Sequence, residues 1–137
     1  MSGRFCILLA ALLAAACAPG GAPLSADSIV VTRPLPGSGT SAAYLTLNNN
    51  SAEDIVITRV VSPEFASVAM HESVLKDGVS RMRPLARLVV PAHGTLGLEP
   101  GGKHLMLHGA GAASSTVTLH FFAGDTPLLT VSTVLED

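Results

Sequence analysis

Short runs of β-branched and aliphatic residues follow one another along the chain, separated by Gly, Pro and Asn. The breaks recur about every eight to twelve residues, a spacing typical of an all-β sandwich or barrel. No segment keeps a helical period, and we find no internal repeat and no second domain. The strands predicted from this pattern are 29–33, 42–47, 55–61, 68–75, 79–83, 88–90, 95–98, 103–107, 116–122 and 128–135.

The N-terminus has the pattern of an export signal. Residues 1–4 carry a positive charge at Arg4, and residues 5–16 are apolar. An apolar stretch of this length is too short to span a bilayer comfortably, whereas it suits a secretory signal peptide. We therefore predict that residues 1–17 direct the chain out of the cytoplasm, to the periplasm or cell envelope.

The end of this signal has two interpretations. Residues 14–17, Ala-Ala-Ala-Cys, resemble a bacterial lipobox, although Ala stands where Leu is usual. Cleavage before Cys17 and lipidation of its thiol would tether the protein to a membrane. The alternative is simple secretion with cleavage after Ala18, but Pro19 would then follow the cut, where signal peptidases tolerate it poorly. We expect the lipoprotein.

The mature chain divides into a tether and one domain. Residues 19–23, Pro-Gly-Gly-Ala-Pro, cannot pack a core, so 18–27 is predicted to be a flexible tether. Residues 28–137 are enough for a single domain with its own core. The formal net charge is −2 and no basic stripe is interleaved with aromatic residues, so nucleic acid is not an expected partner.

Met and His residues concentrate between Met70 and Met106. This stretch holds every Met beyond the initiator and three of the five His residues. Four of these residues follow a fixed order: His71, ten residues, Met82, twenty-one residues, His104, one residue, Met106. Thioether sulfur and neutral imidazole suit Cu(I), and they suit Mg, Ca or a catalytic zinc poorly. The set therefore predicts a site for one Cu(I) ion.

Strand geometry allows the four side chains to meet. Period-two alternation places His104 and Met106 on one face of a strand, with the Leu residues between and after them directed to the core. Asp77-Gly78 is the strongest short hairpin signal in the chain. As a two-residue turn it makes His71 and Met82 diagonal neighbours on one face, whereas a slip of one residue would separate them.

Pro84 falls opposite His71 in this register. Because proline has no N–H to donate, we expect the ladder to open close to His71 and to ease the entry of a metal.

Cysteine usage favours Met as the soft ligand. Cys6 lies in the signal and Cys17 at its edge, so the folded domain has no thiol and no disulfide. An oxidising compartment joins free thiols into disulfides, whereas thioethers are not lost in that way. The absence of Cys from the domain also excludes a blue-copper electron carrier. Only the two imidazoles bind protons, so Cu(I) binding is expected to weaken as the pH falls.

Structural roles compete with these assignments. A single Met in a strand is most often a core filler, and a single His is usually a surface residue. His108 continues the face of His104 and is either an outer ligand or a strand-end residue. His93 is expected in a turn and His120 on a strand surface. No nucleophile is accompanied by a catalytic base, so we do not expect an enzyme.

The same residues resemble the signature of the PCuAC family of periplasmic copper chaperones. That signature is a His, often preceded by Met, then ten residues, Met, twenty-one residues and His-x-Met. Met70-His71, Met82 and His104-x-Met106 match it with both gaps unchanged. The resemblance covers about residues 28–134, with further similarity at 42–47, 71–72, 77–79, 82–85, 100–102 and 104–107.

The resemblance implies a cupredoxin-like Greek-key β-sandwich that binds one solvent-accessible Cu(I) through His71, Met82, His104 and Met106. It also implies delivery of copper toward the binuclear copper centre of a respiratory terminal oxidase, with an oxidase subunit or an assembly factor as partner. Some members carry a His- and Met-rich C-terminal tail that this chain lacks, so we do not expect a Cu(II) site. We expect a monomer.

Two other functions stay open at this point. The same Cu(I) site could serve as a copper buffer for tolerance, and neighbouring genes for efflux pumps or for oxidase assembly factors would separate these roles. From a different class, the chain could be a metal-free β-sandwich lipoprotein that binds envelope proteins. Titration with Cu(I) separates that function from the other two.

Overall fold

The computed structural model describes residues 21–34, 36–110 and 114–136, except for the side chain at 110. The predicted signal peptide at 1–17 and Cys17 lie outside these residues. The strands are β1 (Leu24–Thr32), β2 (Thr40–Asn49), β3 (Ile55–Ile57), β4 (Arg59–Val61), β5 (Phe65–Lys76), β6 (Val79–Pro84), β7 (Leu88–Val90), β8 (Thr95–Leu98), β9 (Lys103–Ala110), β10 (Thr116–Ala123) and β11 (Thr126–Glu136).

Most strands join one long sheet with the order β4-β10-β11-β1-β2-β9-β5-β6, and β8 also pairs with β2. β1 and β11 run parallel, whereas the pairs on either side of β5 are antiparallel. β3 and β7 form a separate two-stranded sheet. The all-β prediction is therefore confirmed. Within the described residues, no helix has the length and apolar character needed to cross a membrane.

Side-chain alternation along the strands builds the core. On β2, Ala43, Leu45 and Leu47 are buried, whereas the residues between them lie on the other face and are partly exposed. On β9, Leu105 and Leu107 are fully buried, as their parity predicts. Each of these Leu side chains contributes about 1.5–3 kcal/mol by leaving water. The packing of these side chains against the core holds β2 and β9 in place, and with them the side chains on their opposite face.

The prediction of a single strand over 55–61 was wrong. β3 pairs with β7, whereas β4 pairs with β10, so the segment divides between two sheets. The division falls at Thr58, whose N–H donates to the Phe122 carbonyl and whose hydroxyl accepts the Gly124 N–H. Because both bonds go to β10 and the turn after it, they redirect the chain without a Gly or Pro to mark the break.

The predicted tether at 18–27 also extended too far. β1 begins at Leu24, which is fully buried and pairs with Asn49, so residues 24–27 belong to the sheet. The pairing of β1 with β2 shifts register between Asp27 and Val30, and Ser28 has a positive φ of 53°. This bulge interrupts the strand pattern, which explains why the sequence alone indicated a later start.

Replacement of Leu119 tests the core. Leu119→Ala removes a side chain that is 1% exposed, so the free energy of unfolding should fall by about 2–5 kcal/mol. Val134→Ala, on the adjacent β11, is the matched control, since that side chain is 60% exposed and its loss should cost about 0.5 kcal/mol or less. Urea unfolding followed by circular dichroism measures both values. Equal losses would contradict the placement of Leu119 in the core.

Candidate metal centre

His71 and His104 face each other across two neighbouring strands. His71 on β5 is the direct partner of His104 on β9 in an antiparallel ladder, so the two side chains leave the sheet on the same face. Their ring centroids are 6.0 Å apart and the ring planes are inclined by 59°. The structure thus brings together two imidazoles that lie on separate strands, 33 residues apart in sequence.

Met106 lies beside this pair. It follows His104 by two residues on β9, which keeps it on the same face and makes it a diagonal neighbour of His71. Its direct partners are Ala42 on β2 and Ala69 on β5. Both of these neighbours end at Cβ, and the Met106 side chain is partly exposed.

The fourth predicted residue, Met82, reaches the same face through the hairpin. Asp77 and Gly78 both have positive φ values, 53° and 75°, as a type I′ turn requires. The register pairs Lys76 with Val79 and Ser73 with Met82, so the predicted register is confirmed. Met82 is the exposed member of the set, at 57% of its surface.

The expectation that the ladder opens at Pro84 was wrong. Pro84 pairs with His71, and the next residue, Leu85, donates its N–H to the Met70 carbonyl at 2.8 Å. Residues of β6 with odd numbers therefore bond to β5. The backbone nitrogen of Pro84 faces the outer edge of the sheet, away from β5. The lack of an N–H at Pro84 therefore removes no hydrogen bond to β5.

A backbone carbonyl orients the His104 ring. His104 is 5% exposed, and its Nδ1 lies 3.1 Å from the carbonyl oxygen of Gly102. A carbonyl can only accept, so the neutral ring donates from Nδ1–H and carries its lone pair on Nε2. In metal-binding proteins a hydrogen bond of this kind fixes the tautomer and the orientation of a histidine ring. The Tyr44 ring packs near the imidazole, with centroids 6.4 Å apart.

His71 presents a nitrogen without a partner. Its Nδ1 is buried and forms no hydrogen bond within the described part of the chain. Burial lowers the pKa of His71 below the ordinary value, and repulsion by His104 and His108 lowers it further. A lowered pKa favours the neutral ring, which is the form that can bind a metal cation through one of its nitrogens.

Glu72 stabilises these strands from the reverse face. Its carboxylate accepts hydrogen bonds from Arg83 on β6, at 2.9 and 2.6 Å, and from Lys103 on β9, at 3.1 Å. These bonds, first that from Arg83, lower the pKa of Glu72. One carboxylate thus connects the three strands that carry His71, Met82 and His104.

The other histidines occupy structural positions. His93 lies in a turn with a φ of 52°, as predicted. His120 lies on β10, partly exposed, with Nδ1 2.8 Å from the Thr130 hydroxyl. His108 is on the face of His104 and Met106 but is paired with Thr40 and Ser67, two strand positions beyond Met106.

In residues 21–34, 36–110 and 114–136, no three His, Cys, Asp or Glu residues cluster as a metal site. The predicted site differs from such a cluster because it includes the thioethers of Met82 and Met106.

Two contacts of His104, with the Tyr44 ring and with the Gly102 carbonyl, were not predicted from the sequence. Tyr44 reaches the site because β2 pairs with β9, and this pairing has no local signal in the sequence. The Gly102 carbonyl acts through the backbone, which composition does not reveal. The one sequence signal for Tyr44 was its position in the alternating pattern of β2, which places it on the face opposite the core.

The family comparison matches residues 24–132 to a family described as "Putative lipoprotein LpqE-like". The chain belongs to this family. One relative, described as "Putative lipoprotein Lxx21020" from Leifsonia xyli subsp. xyli, is 34% identical over 96 residues. The match covers 66% of this chain and 58% of that relative, so the chain spans little more than half of the relative's length.

Solved structures share the fold. The copper-bound PCuAC domain from PmoF2 superposes with a TM-score of 0.67 at 16% identity, over 83% of this chain and 92% of that domain. The apo and Cu(I) forms of DR1885 from Deinococcus radiodurans both superpose with a TM-score of 0.61. Their identities are 26% and 29%, over 99% and 90% of this chain and 93% and 83% of theirs. The domain has the cupredoxin-like β-sandwich of PCuAC domains, so the resemblance seen in the sequence is confirmed.

The lowered pKa of His71 makes the stability of the metal-free fold depend on pH. In the unfolded chain this histidine titrates near 6.5, whereas in the fold it binds a proton less readily. Its contribution to stability is therefore complete above about pH 6.5 and is lost as the pH falls through that value toward the folded pKa. NMR titration of the ring protons should give a His71 midpoint below that of a free histidine. A midpoint at or above the free value would contradict the buried, unpartnered Nδ1.

Proposed function

We propose that this protein binds one Cu(I) ion outside the cytoplasm and passes it to copper-accepting proteins. The observation that carries the proposal is the opposed pair His71 and His104, 6.0 Å between ring centroids, with Met106 and Met82 on the same sheet face. The solved copper-bound PCuAC domain and the Cu(I) form of DR1885 support copper as the cargo.

The donor atoms suit Cu(I). The unpartnered Nδ1 of His71 and the Nε2 lone pair of His104 are two neutral nitrogen donors, and Met82 and Met106 add two soft sulfurs. Cu(I) is a closed-shell ion that favours polarisable ligands and accepts low coordination. Because all four ligands are neutral, the loaded site carries a charge of only +1, and no carboxylate is needed to balance it.

The exposure of the ligands suits transfer rather than storage. His104 is almost fully buried, whereas Met82 is exposed on the outermost strand. An incoming ligand can therefore displace Met82 first, while the two imidazoles still hold the ion. Thioethers bind Cu(I) less tightly than thiolates do, which favours release. The protein acts as a carrier and not as an enzyme.

The proposed location of the protein in the cell is based on its family. A lipoprotein family agrees with export and with lipidation of Cys17, which would hold a monomeric domain in the cell envelope. We propose that the acceptor is an oxidase subunit with a binuclear copper centre, or a factor that assembles it. In this role the protein moves copper between two proteins and catalyses no reaction.

Anaerobic titration with Cu(I) against a competing chelator tests the proposal. We expect one ion per chain, and X-ray absorption of the loaded protein should report nitrogen and sulfur ligands. A chain that leaves all copper with the chelator would remove the copper function and favour a metal-free envelope protein.

Met106→Leu tests the ligand set. The swap nearly conserves volume, so the free energy of unfolding without metal should change by less than about 1.5 kcal/mol. Cu(I) affinity should fall by about tenfold or more, since even the loss of a residue that only orients a metal ligand costs about 10–100-fold. Met70→Leu is the matched control: Met70 precedes His71 but is buried in the core, so its replacement should leave Cu(I) affinity unchanged. Equal affinities for the two variants would show that Met106 is not a ligand.

A further inference from the structure

β6 forms an edge of the long sheet. In the described part of the chain no strand pairs with its outer side, and all six of its residues are exposed. The N–H of Leu85 donates to the Met70 carbonyl on β5. The N–H of Ser73 on β5 donates to the Gly102 carbonyl, on the opposite side of β5 from β6. Odd-numbered residues of β6 therefore bond to β5, and the N–H and C=O groups of Ser80 and Met82 face outward without a strand partner.

The two faces of this edge differ in chemistry. Met82 lies on the face of His71, and the neighbouring Leu75 on that face is 77% exposed. Arg81 and Arg83 lie on the reverse face. Three of the five large apolar side chains exposed among the described residues belong to this one hairpin, Leu75 and Met82 on the face of His71 and Val79 on the reverse face. Exposed apolar side chains concentrated in this way mark an interaction surface.

The charge of the hairpin is opposite to that of the chain. Residues 76–87 contain Lys76, Arg81, Arg83 and Arg87 against Asp77 alone, whereas the whole chain carries −2. Glu72 pairs with Arg83, but no carboxylate of the described residues lies within ion-pairing distance of Arg81 or Arg87. An acidic partner would therefore be attracted to this end of the sheet.

We propose that the outer edge of β6 receives a β-strand of the copper-accepting protein, in which a soft metal ligand alternates with acidic residues. This inference rests on the proposed function, because it takes Met82 as a copper ligand and a copper-accepting protein as the partner. A strand added to Ser80 and Met82 places one of its side chains directly opposite Met82, on the same face and about 5 Å away between Cβ atoms. The ligand on that side chain then replaces the Met82 sulfur. Its two neighbours in sequence lie on the reverse face, beside Arg81 and Arg83.

The charge pattern argues against a second copy as the occupant. Pairing of β6 with β6 of another molecule would bring Arg81 and Arg83 of both copies onto one face, where like charges oppose association. An acidic strand meets the same arginines with attraction. An anionic membrane would use the basic side chains but would leave the backbone groups of Ser80 unpaired.

Amide hydrogen exchange of the full chain loaded with Cu(I) tests this edge. The probe is an extended peptide in which methionine alternates with aspartate, and the control peptide has lysine in place of aspartate. We expect the aspartate peptide to protect the amides of Ser80 and Met82 and to remove copper, and the lysine peptide to do neither. Binding without protection of these amides, equal effects of both peptides, or binding only to vesicles of anionic lipid would overturn the proposal.

Arg81→Glu supplies the matched variant. It should weaken binding of the aspartate peptide by about fivefold, because it replaces a cross-strand charge attraction by a repulsion. Arg59→Glu makes the same change of charge on β4, at the opposite end of the sheet, and should leave peptide binding unchanged. Cu(I) affinity, measured separately, should be the same in both variants. Full Cu(I) affinity with no peptide binding would refute the docking edge alone, whereas loss of Cu(I) binding by the unchanged chain would refute the proposed function.

Discussion

The register of β5 against its two neighbours is the constraint on which the candidate site depends. His71 is opposed by His104 on one side and by Pro84 on the other. A shift of one residue in either ladder would move His71 to the opposite face from its partners. Two features of the reverse face oppose such a shift: Met70 is buried against the core, and Glu72 bonds to Arg83 and Lys103. Apolar burial and an ion-pair network thus hold the register together.

Across these strands the candidate ligands change from buried to exposed. His104 is packed and oriented by the Gly102 carbonyl, Met106 is partly covered between two alanines, and Met82 lies open on the edge strand. The buried His104 can hold a ligand position fixed, because its ring has one tautomer and little freedom to rotate. The exposed end can exchange its ligand. In the function that we propose, this gradient gives copper a secure position and a direction of exit toward the outer edge of β6.

Local signals predicted much of the fold. Asp77-Gly78 indicated the hairpin and its register, and β7 and β8 have the bounds that their Pro and Gly neighbours indicate. The errors fell where a distant strand decides the outcome. Thr58 separates β3 from β4 because its hydrogen bonds go to β10 and the turn that follows it, and Leu24 joins β1 because it pairs with β2. Neither partner is near in sequence, so no local pattern could reveal the pairing.

The sequence by itself determined the relations that depend on neighbours along the chain. Period-two alternation puts His104 and Met106 on one face, and a two-residue turn relates His71 to Met82. Only the tertiary structure decided that these two halves meet, through the pairing of β5 with β9, and that β2 brings Tyr44 to the same face. The burial that leaves Nδ1 of His71 without a partner is also a tertiary property. The physical reason is that alternation and turn geometry are set by adjacent residues, whereas pairing between distant strands depends on how the whole core packs.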